Sequence, residues 1–157
     1  MSGMDGAPAA RYLYGMDSAD RIIADLRLSP HPEGGWYRQT WVSDVLVDGR
    51  PTGTCIYFLL KAGERSHWHR VDAAEHWFWH AGARLTLSLA ATDAGPATDH
   101  VLGPDVLAGE APQILVPTGH WQAAASCGGW TLASCTVSPG FRFEGFTLAP
   151  PGFDIPR

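Results

Sequence analysis

The sequence has little positive charge and no long apolar run. Its 157 residues hold 11 Lys and Arg against 16 Asp and Glu, a formal net charge of −5. The basic residues are scattered, so no patch matches a phosphate backbone and nucleic acid is not expected as a partner. The longest apolar run, CIYFLL, is far short of the about 20 residues that cross a membrane. No membrane-spanning segment is therefore expected.

Cysteine is also scarce. Cys55, Cys127 and Cys135 are odd in number and form no CxxC pair, which argues against a disulfide framework or a zinc ribbon and favours reduced thiols. Residues 1–15 have neither a basic nor an apolar signal region, so they are predicted to be a flexible leader. A single domain over residues 16–157 and a cytoplasmic location are the resulting expectations.

Short strand-like segments bounded by Gly, Pro, Asp or Ser fill the chain after residue 35. Helical spacing is confined to residues near Asp20 to Leu28, with Asp17 or Ser18 as the candidate N-cap and Pro30 as the stop. Strands at this spacing, without helices between them, predict an all-β antiparallel sandwich or barrel with one short N-terminal helix.

The segment SHWHRVDAAEHWFWH, residues 66–80, concentrates the candidate chemistry. Side chains alternate along a strand, so His67 and His69 are expected on one face, and a tight turn could return Glu75 beside them. Two imidazoles and a carboxylate suit Fe(II), Mn(II), Ni(II) or Zn(II). Histidines on strands are commonly pocket or surface residues, and the residues alone leave both interpretations open.

The spacing HxH, five residues, Glu, six residues, Gly at positions 67–82 resembles the first motif of the cupin superfamily. VPTGHWQAA, residues 116–124, is similar to the second motif. Where that motif carries a third histidine ligand, this sequence has Gln122, and His120 lies two positions earlier. The resemblance therefore implies either no cofactor or a weakly held divalent metal, with His67, His69, Glu75 and Gln122 as its candidate ligands.

The wider sequence resembles the cupin branch often labelled "predicted sugar epimerase, cupin superfamily". LSPHPEGGWYRQTW, CIYFLL, VPTGHWQAA and WTLASCTVSPGFRFEGFTLA carry this likeness. It implies a cupin-type double-stranded β-helix, that is, a jelly-roll barrel. It also implies a homodimer and a pocket lined by aromatic and polar residues. No reaction is attached to the branch, and a fold does not fix a function.

Several residues are predicted to bind a small sugar-like or lipophilic ligand. Glu75, Trp77 and Trp79 share one strand face, and indole rings stack well on sugars. The alternative is that both tryptophans fill the barrel. Tyr37 and Arg38 could hold an anionic group at the barrel mouth.

Three functions stay open at this point. One is an epimerase or isomerase with His69 and Glu75 as general base and acid, the imidazole being neutral near pH 7; Gln122 would add a hydrogen bond. The others are a metal-dependent enzyme and a non-catalytic binding barrel. A homodimer is expected because of the seven tryptophans and the strand GTCIYFLL, which is expected to be exposed.

Overall fold

A computed structural model describes residues 18–157 of the protein. The expected leader, residues 1–15, and the N-cap candidate Asp17 lie outside the described residues.

Helix α1 (Ser18–Asp25) is the one α-helix in the described part of the chain, as the sequence predicts. It ends because Arg27 adopts a left-handed conformation (φ 55°) and the Leu28 N–H returns to the Ile23 carbonyl at 2.8 Å. This arrangement is a Schellman-type stop. The helix packs through Ala19 against Leu59 of the following sheet.

Thirteen strands make up most of the remaining described chain. They are β1 (Ser29–Pro30), β2 (Trp36–Val42), β3 (Leu46–Val47), β4 (Arg50–Pro51), β5 (Thr54–Leu60), β6 (Arg65–Val71), β7 (Ala74–Gly82), β8 (Leu85–Ala90), β9 (Thr98–Leu102), β10 (Gln113–Val116), β11 (Trp121–Ser126), β12 (Thr131–Ser138) and β13 (Phe146–Leu148). Two short 3₁₀ turns span Val106–Ala108 and Phe143–Gly145.

Two antiparallel sheets form a jelly-roll sandwich. The first has the strand order β1-β2-β5-β12-β7-β10 and the second β13-β6-β11-β8-β9, while β3 and β4 form a separate hairpin. Alternate residues of both sheets, such as Phe58, Trp77 and Leu87, meet in one buried core, as expected where each sheet buries one face. The predicted all-β architecture is confirmed.

Two local features differ from the sequence prediction. The strand GTCIYFLL is not exposed, because β5 lies between β2 and β12 and Phe58 to Leu60 are buried. The β3–β4 hairpin was not predicted; its Asp48-Gly49 turn has φ values of 51° and 78°, the left-handed pair that a tight hairpin requires. Five of the exposed large apolar residues lie there and at the end of β2: Trp41, Val42, Val45, Leu46 and Val47.

The one α-helix of residues 18–157 is too short and too polar to cross a bilayer.

Candidate functional site

A cavity of about 130 Å³ opens between the two sheets. Its polar lining includes His31, Glu33, Tyr37, His69, Glu75 and Cys135, and its apolar lining includes Ile56, Val71, Val137, Phe141, Phe143 and Phe146. The cavity is similar in size to an engineered cavity of about 150 Å³ that binds benzene. The enclosed part of a ligand is therefore about six non-hydrogen atoms.

The turn that follows β1 carries Glu33 into this cavity. The Gly34 N–H donates to the His31 carbonyl at 3.0 Å and the Glu33 carbonyl accepts from the His67 N–H at 2.7 Å. Gly34 has φ 103°, and a Cβ there would lie 2.1 Å from the Arg65 carbonyl oxygen. Only glycine allows both this conformation and this contact with β6.

Glu33 and His69 form a buried ion pair. The His69 Nδ1 lies 2.7 Å from Glu33 Oε2, which also accepts a hydrogen bond from the Ser66 hydroxyl at 2.9 Å. Burial alone would lower the pKa of His69, but the attraction of Glu33 outweighs it and raises the pKa to about 9. Burial likewise opposes ionisation of Glu33, yet His69 holds its pKa below the usual value. The pair is charged at neutral pH.

A bulge in β6 separates His67 from His69. Gln122 pairs with His69 but Ala124 pairs with Ser66, so β6 contains one extra residue between these two contacts. An extra residue interrupts the alternation of side chains, and Ser66 and His69 both reach Glu33. His67 instead bonds the Pro150 carbonyl at 2.9 Å and lines another cleft. The expected convergence of the two imidazoles does not occur.

Glu75 reaches the cavity from β7 and is held by an amide. The Gln122 Nε2 donates to Glu75 Oε2 at 2.8 Å, and the Trp77 indole N–H donates to Gln122 Oε1 at 2.9 Å. Burial raises the pKa of Glu75 to about 7, although His69 and Gln122 favour its ionised form. Burial and the nearby carboxylates raise the pKa of the Cys135 thiol well above its usual value, so Cys135 is an unreactive neighbour.

His31 is a second imidazole of the cavity. Its Nδ1 lies 3.3 Å from Glu33 Oε1 but accepts the Glu33 backbone N–H at 3.1 Å; because the backbone N–H occupies the lone pair of Nδ1, the ring proton is assigned to Nε2. Burial lowers the pKa of His31 despite the nearby Glu33 carboxylate, so the ring is neutral. The His31 and Tyr37 rings pack in a T-shaped arrangement, with 4.5 Å between their centroids.

The other predicted binding residues fall in different places. Tyr37 lines the cavity, whereas Arg38 points away from it, donating to the Leu26 carbonyl at 2.7 Å and covering the Tyr57 ring. Trp77 is fully buried in the core, and Trp79 packs against that core while donating to the Ala83 carbonyl. Neither indole lines the cavity; both fill the barrel, the alternative that the sequence had left open.

Sequence reasoning missed the aromatic wall and the role of the first turn. Phe141, Phe143 and Phe146 contact one another at 5.0 to 6.2 Å between ring centroids, but the sequence predicts core packing for them. His31 and Glu33 were detectable only through the segment HPEGG, where two glycines beside a histidine and a glutamate indicate a specific backbone turn.

The side chains present do not fit the weakly held divalent metal that the cupin resemblance leaves open. Among residues 18–157 no group of three or more His, Cys, Asp or Glu side chains could hold a metal ion. His67 faces elsewhere, His69 Nδ1 contacts Glu33, and Trp77 directs the Gln122 amide oxygen away from Glu75.

Two antiparallel sheets around a cavity of polar and apolar side chains define a cupin-type barrel. The chain belongs to the family described as "Cupin superfamily (DUF985)", whose model matches residues 20–149. This confirms the cupin resemblance drawn from the motifs.

Solved structures agree with this assignment. A Shewanella oneidensis protein is 43% identical with a TM-score of 0.79, over 85% of each chain. A hypothetical protein from Leishmania major is 32% identical with a TM-score of 0.80, over 87% of this chain and 90% of its own. The oxalate decarboxylase of Bacillus subtilis is 14% identical with a TM-score of 0.59, over 76% of this chain and 29% of that one, a likeness of fold alone. No curated protein matches the chain.

Proposed function

We propose that the cavity binds a small carbonyl compound and moves a proton at the carbon next to the carbonyl, as an isomerase or epimerase does. One observation carries this proposal: Glu75 and the Glu33-held His69 enter the same small cavity. Proton abstraction next to a carbonyl needs one group that takes the proton and another that stabilises the oxygen as it becomes negative.

Glu75 is the base. A carboxyl group with a pKa of about 7, raised by burial, is present in both protonation states near neutral pH. A catalytic pKa close to the working pH lets one group first accept and then return a proton.

His69 is the electrophile and not the base. Glu33 keeps the ring protonated, with a pKa of about 9 against the opposing effect of burial, so it cannot serve as the neutral imidazole base expected from the sequence. Its Nδ1 contacts Glu33 and the His67 carbonyl. Its Nε2 has no partner among residues 18–157, and this N–H is free to donate to a substrate oxygen.

The proton transfer needs no reactant other than the substrate. The substrate C–H bond breaks, its proton passes to the Glu75 carboxylate, and the electron pair moves to the carbonyl oxygen, which accepts a hydrogen bond from His69. Glu75 then returns the proton to the same carbon, or to the neighbouring carbon where a hydroxyl proton on the first carbon passes to the former carbonyl oxygen.

The test is exchange of the substrate proton in D₂O, followed by NMR over a panel of small aldehydes, ketones and hydroxy ketones. Glu75→Gln should slow exchange by at least about 100-fold, the usual contribution of a general base. The control Asp93→Asn, which removes an exposed carboxylate, should exchange at the wild-type rate. Undiminished exchange by folded Glu75→Gln would contradict the proposal.

A non-catalytic barrel for a sugar-like or lipophilic ligand is the second candidate. The aromatic wall favours it, since Phe141, Phe143 and Phe146 give the cavity one apolar side of the kind that holds ligands by burial alone. Tight binding of a panel member that never exchanges its protons would favour this function.

A further inference from the structure

We infer that the ligand of the cavity is an uncharged α-hydroxy carbonyl compound, with one oxygen bound by His31 and the other by His69. The identity of the ligand rests on the proposed function. The binding role of His31 rests on the structure of the cavity alone.

Two imidazole N–H groups open into the cavity. The His31 Nδ1 accepts the Glu33 N–H and the His69 Nδ1 is occupied by Glu33 and the His67 carbonyl. Among residues 18–157 neither Nε2 has a partner, and no fully buried side-chain nitrogen or oxygen of these residues lacks one. Both Nε2 atoms are therefore accessible from the cavity that their rings line. Two donors match two acceptor oxygens.

The charges of the cavity favour a neutral ligand. Glu33 and His69 cancel each other in their ion pair, and the remaining carboxyl group is Glu75. In the described part of the chain no Lys or Arg lines the cavity. A carboxylate or phosphate would be desolvated there beside Glu75, and the positive charge of His69 is already paired with Glu33, so binding of an anion is unfavourable.

The size of the cavity and the proton transfer through Glu75 narrow the class of ligand further. About 130 Å³ holds about six non-hydrogen atoms, enough for a three-carbon hydroxy ketone or for that end of a longer one. Glu75 can take the proton from the hydroxyl-bearing carbon, leaving an enediolate with both oxygens facing imidazole N–H groups. Returning the proton to the neighbouring carbon, with a proton passing between the two oxygens, exchanges the carbonyl and hydroxyl positions with no change in redox state.

Binding of hydroxyacetone, measured by NMR titration, tests the inference. Wild type should bind hydroxyacetone more tightly than lactate, which is similar in size but charged. His31→Phe keeps a flat ring without the N–H and should weaken hydroxyacetone binding about tenfold, the loss of one hydrogen bond. His31→Gln, which can place an N–H at the Nε2 position, should recover part of it. His100→Phe, at an exposed site, should bind like wild type.

The outcomes separate this inference from the proposed function. Hydroxyacetone that binds through His31 without exchanging its protons would support the inference and overturn the catalytic proposal. Tighter binding of lactate, no binding of hydroxyacetone, or undiminished binding by His31→Phe would overturn the inference. Proton exchange confined to carboxylate substrates would overturn it too, and would leave the proposed chemistry standing. Should His31→Phe fail to fold, the hydroxyacetone-to-lactate comparison on wild type decides.

Discussion

At the scale of single residues, the protonation of Glu75 depends on the direction of one amide. The Trp77 indole can only donate, so its 2.9 Å bond fixes Gln122 Oε1 on that side. The Gln122 NH₂ group must then face Glu75, where it stabilises the carboxylate and limits the rise in pKa that burial causes. Gln122 is thus a positioning residue at the place where the cupin motif carries a histidine.

Replacing Gln122 with Leu should raise the pKa of Glu75 above about 7, because the carboxylate loses its amide donor. The Trp77 N–H would also be buried without a partner, which costs about 1–3 kcal/mol of unfolding free energy. Titration of the glutamate side-chain carboxyl carbons by ¹³C NMR, together with urea unfolding, measures both effects. Gln113→Leu, at an exposed position of β10, is the control. An unchanged Glu75 midpoint would contradict the role given to Gln122.

At the scale of elements, two irregularities of the backbone build the site. The β6 bulge brings Ser66 and His69 to Glu33, and the glycine turn before β2 carries Glu33 to meet them. Neither feature belongs to a regular strand, and each depends on a contact between segments more than thirty residues apart.

Gly34→Ala should disturb the contacts of Glu33 with Ser66 and His69 more than the same substitution at another glycine of positive φ. Gly34 and Gly63 both have positive φ, but a Cβ at Gly34 would lie 2.1 Å from a backbone oxygen, while nothing lies within 4 Å at Gly63. Gly63→Ala carries the conformational cost alone, about 1 kcal/mol. Gly34→Ala should cost more and should lower the pKa of His69 from about 9 as Glu33 shifts. Unfolding by urea and ¹H NMR of the histidine rings check this, and equal behaviour of the two variants would contradict it.

The sequence predicts strands better than it predicts which face of a strand is exposed. The strand expected to carry Glu75, Trp77 and Trp79 on one face is observed as β7, because alternating aromatic residues lie between turn signals. The same alternation, carried through β6, wrongly placed His67 beside His69, since a bulge is fixed by pairing with β11 and leaves no local signal.

The sequence also did not predict which inward side chains lie deep in the barrel core and which border the cavity. Trp77 and Trp79 point into the barrel, as expected, but they belong to its packed core and do not border the cavity. Phenylalanines from the C-terminal part of the chain line the cavity instead. Which of several inward residues borders an empty space depends on how the two sheets close. The local sequence pattern predicts only which side chains of a strand share a face.

At the scale of the whole molecule, the homodimer expected from the sequence stays a prediction, but its basis changes. The strand GTCIYFLL is interior, whereas Trp41, Val45 and Val47 are each more than half exposed. Sedimentation at micromolar concentration should show a dimer, and Val45→Lys with Val47→Lys should shift it toward monomer if this apolar surface is shared. Lys substitution at the fully exposed Leu107 is the control. A wild type that sediments only as a monomer would contradict the prediction.

The pH dependence of stability reports the charge state of the site. The pKa of Glu75 is raised from 4.5 to about 7 in the folded protein, chiefly by burial. The unfolded chain therefore releases this proton first, and Glu75 makes the unfolding free energy fall as pH rises from about 4.5 to 7. The pKa of His69 is raised from 6.5 to about 9 by Glu33, against burial, so its contribution is complete below pH 6.5 and is lost toward pH 9. His31, whose pKa burial lowers, acts in the opposite direction below pH 6.5.

A difference between variants isolates Glu75 from these other groups. Glu75→Gln cannot ionise, so its stability relative to wild type should rise between about pH 4.5 and 7, by up to about 1.4 kcal/mol per pH unit, and then level off. Both proteins should still lose stability from pH 7 to 9, because His69 remains paired with Glu33. Urea unfolding at half-unit pH steps measures the curves, with Asp93→Asn as the control that should run parallel to wild type. A relative stability of Glu75→Gln that stays flat from pH 5 to 8 would mean that Glu75 ionises at its ordinary pKa, and the proposed base would then lack the property that suits it to the reaction.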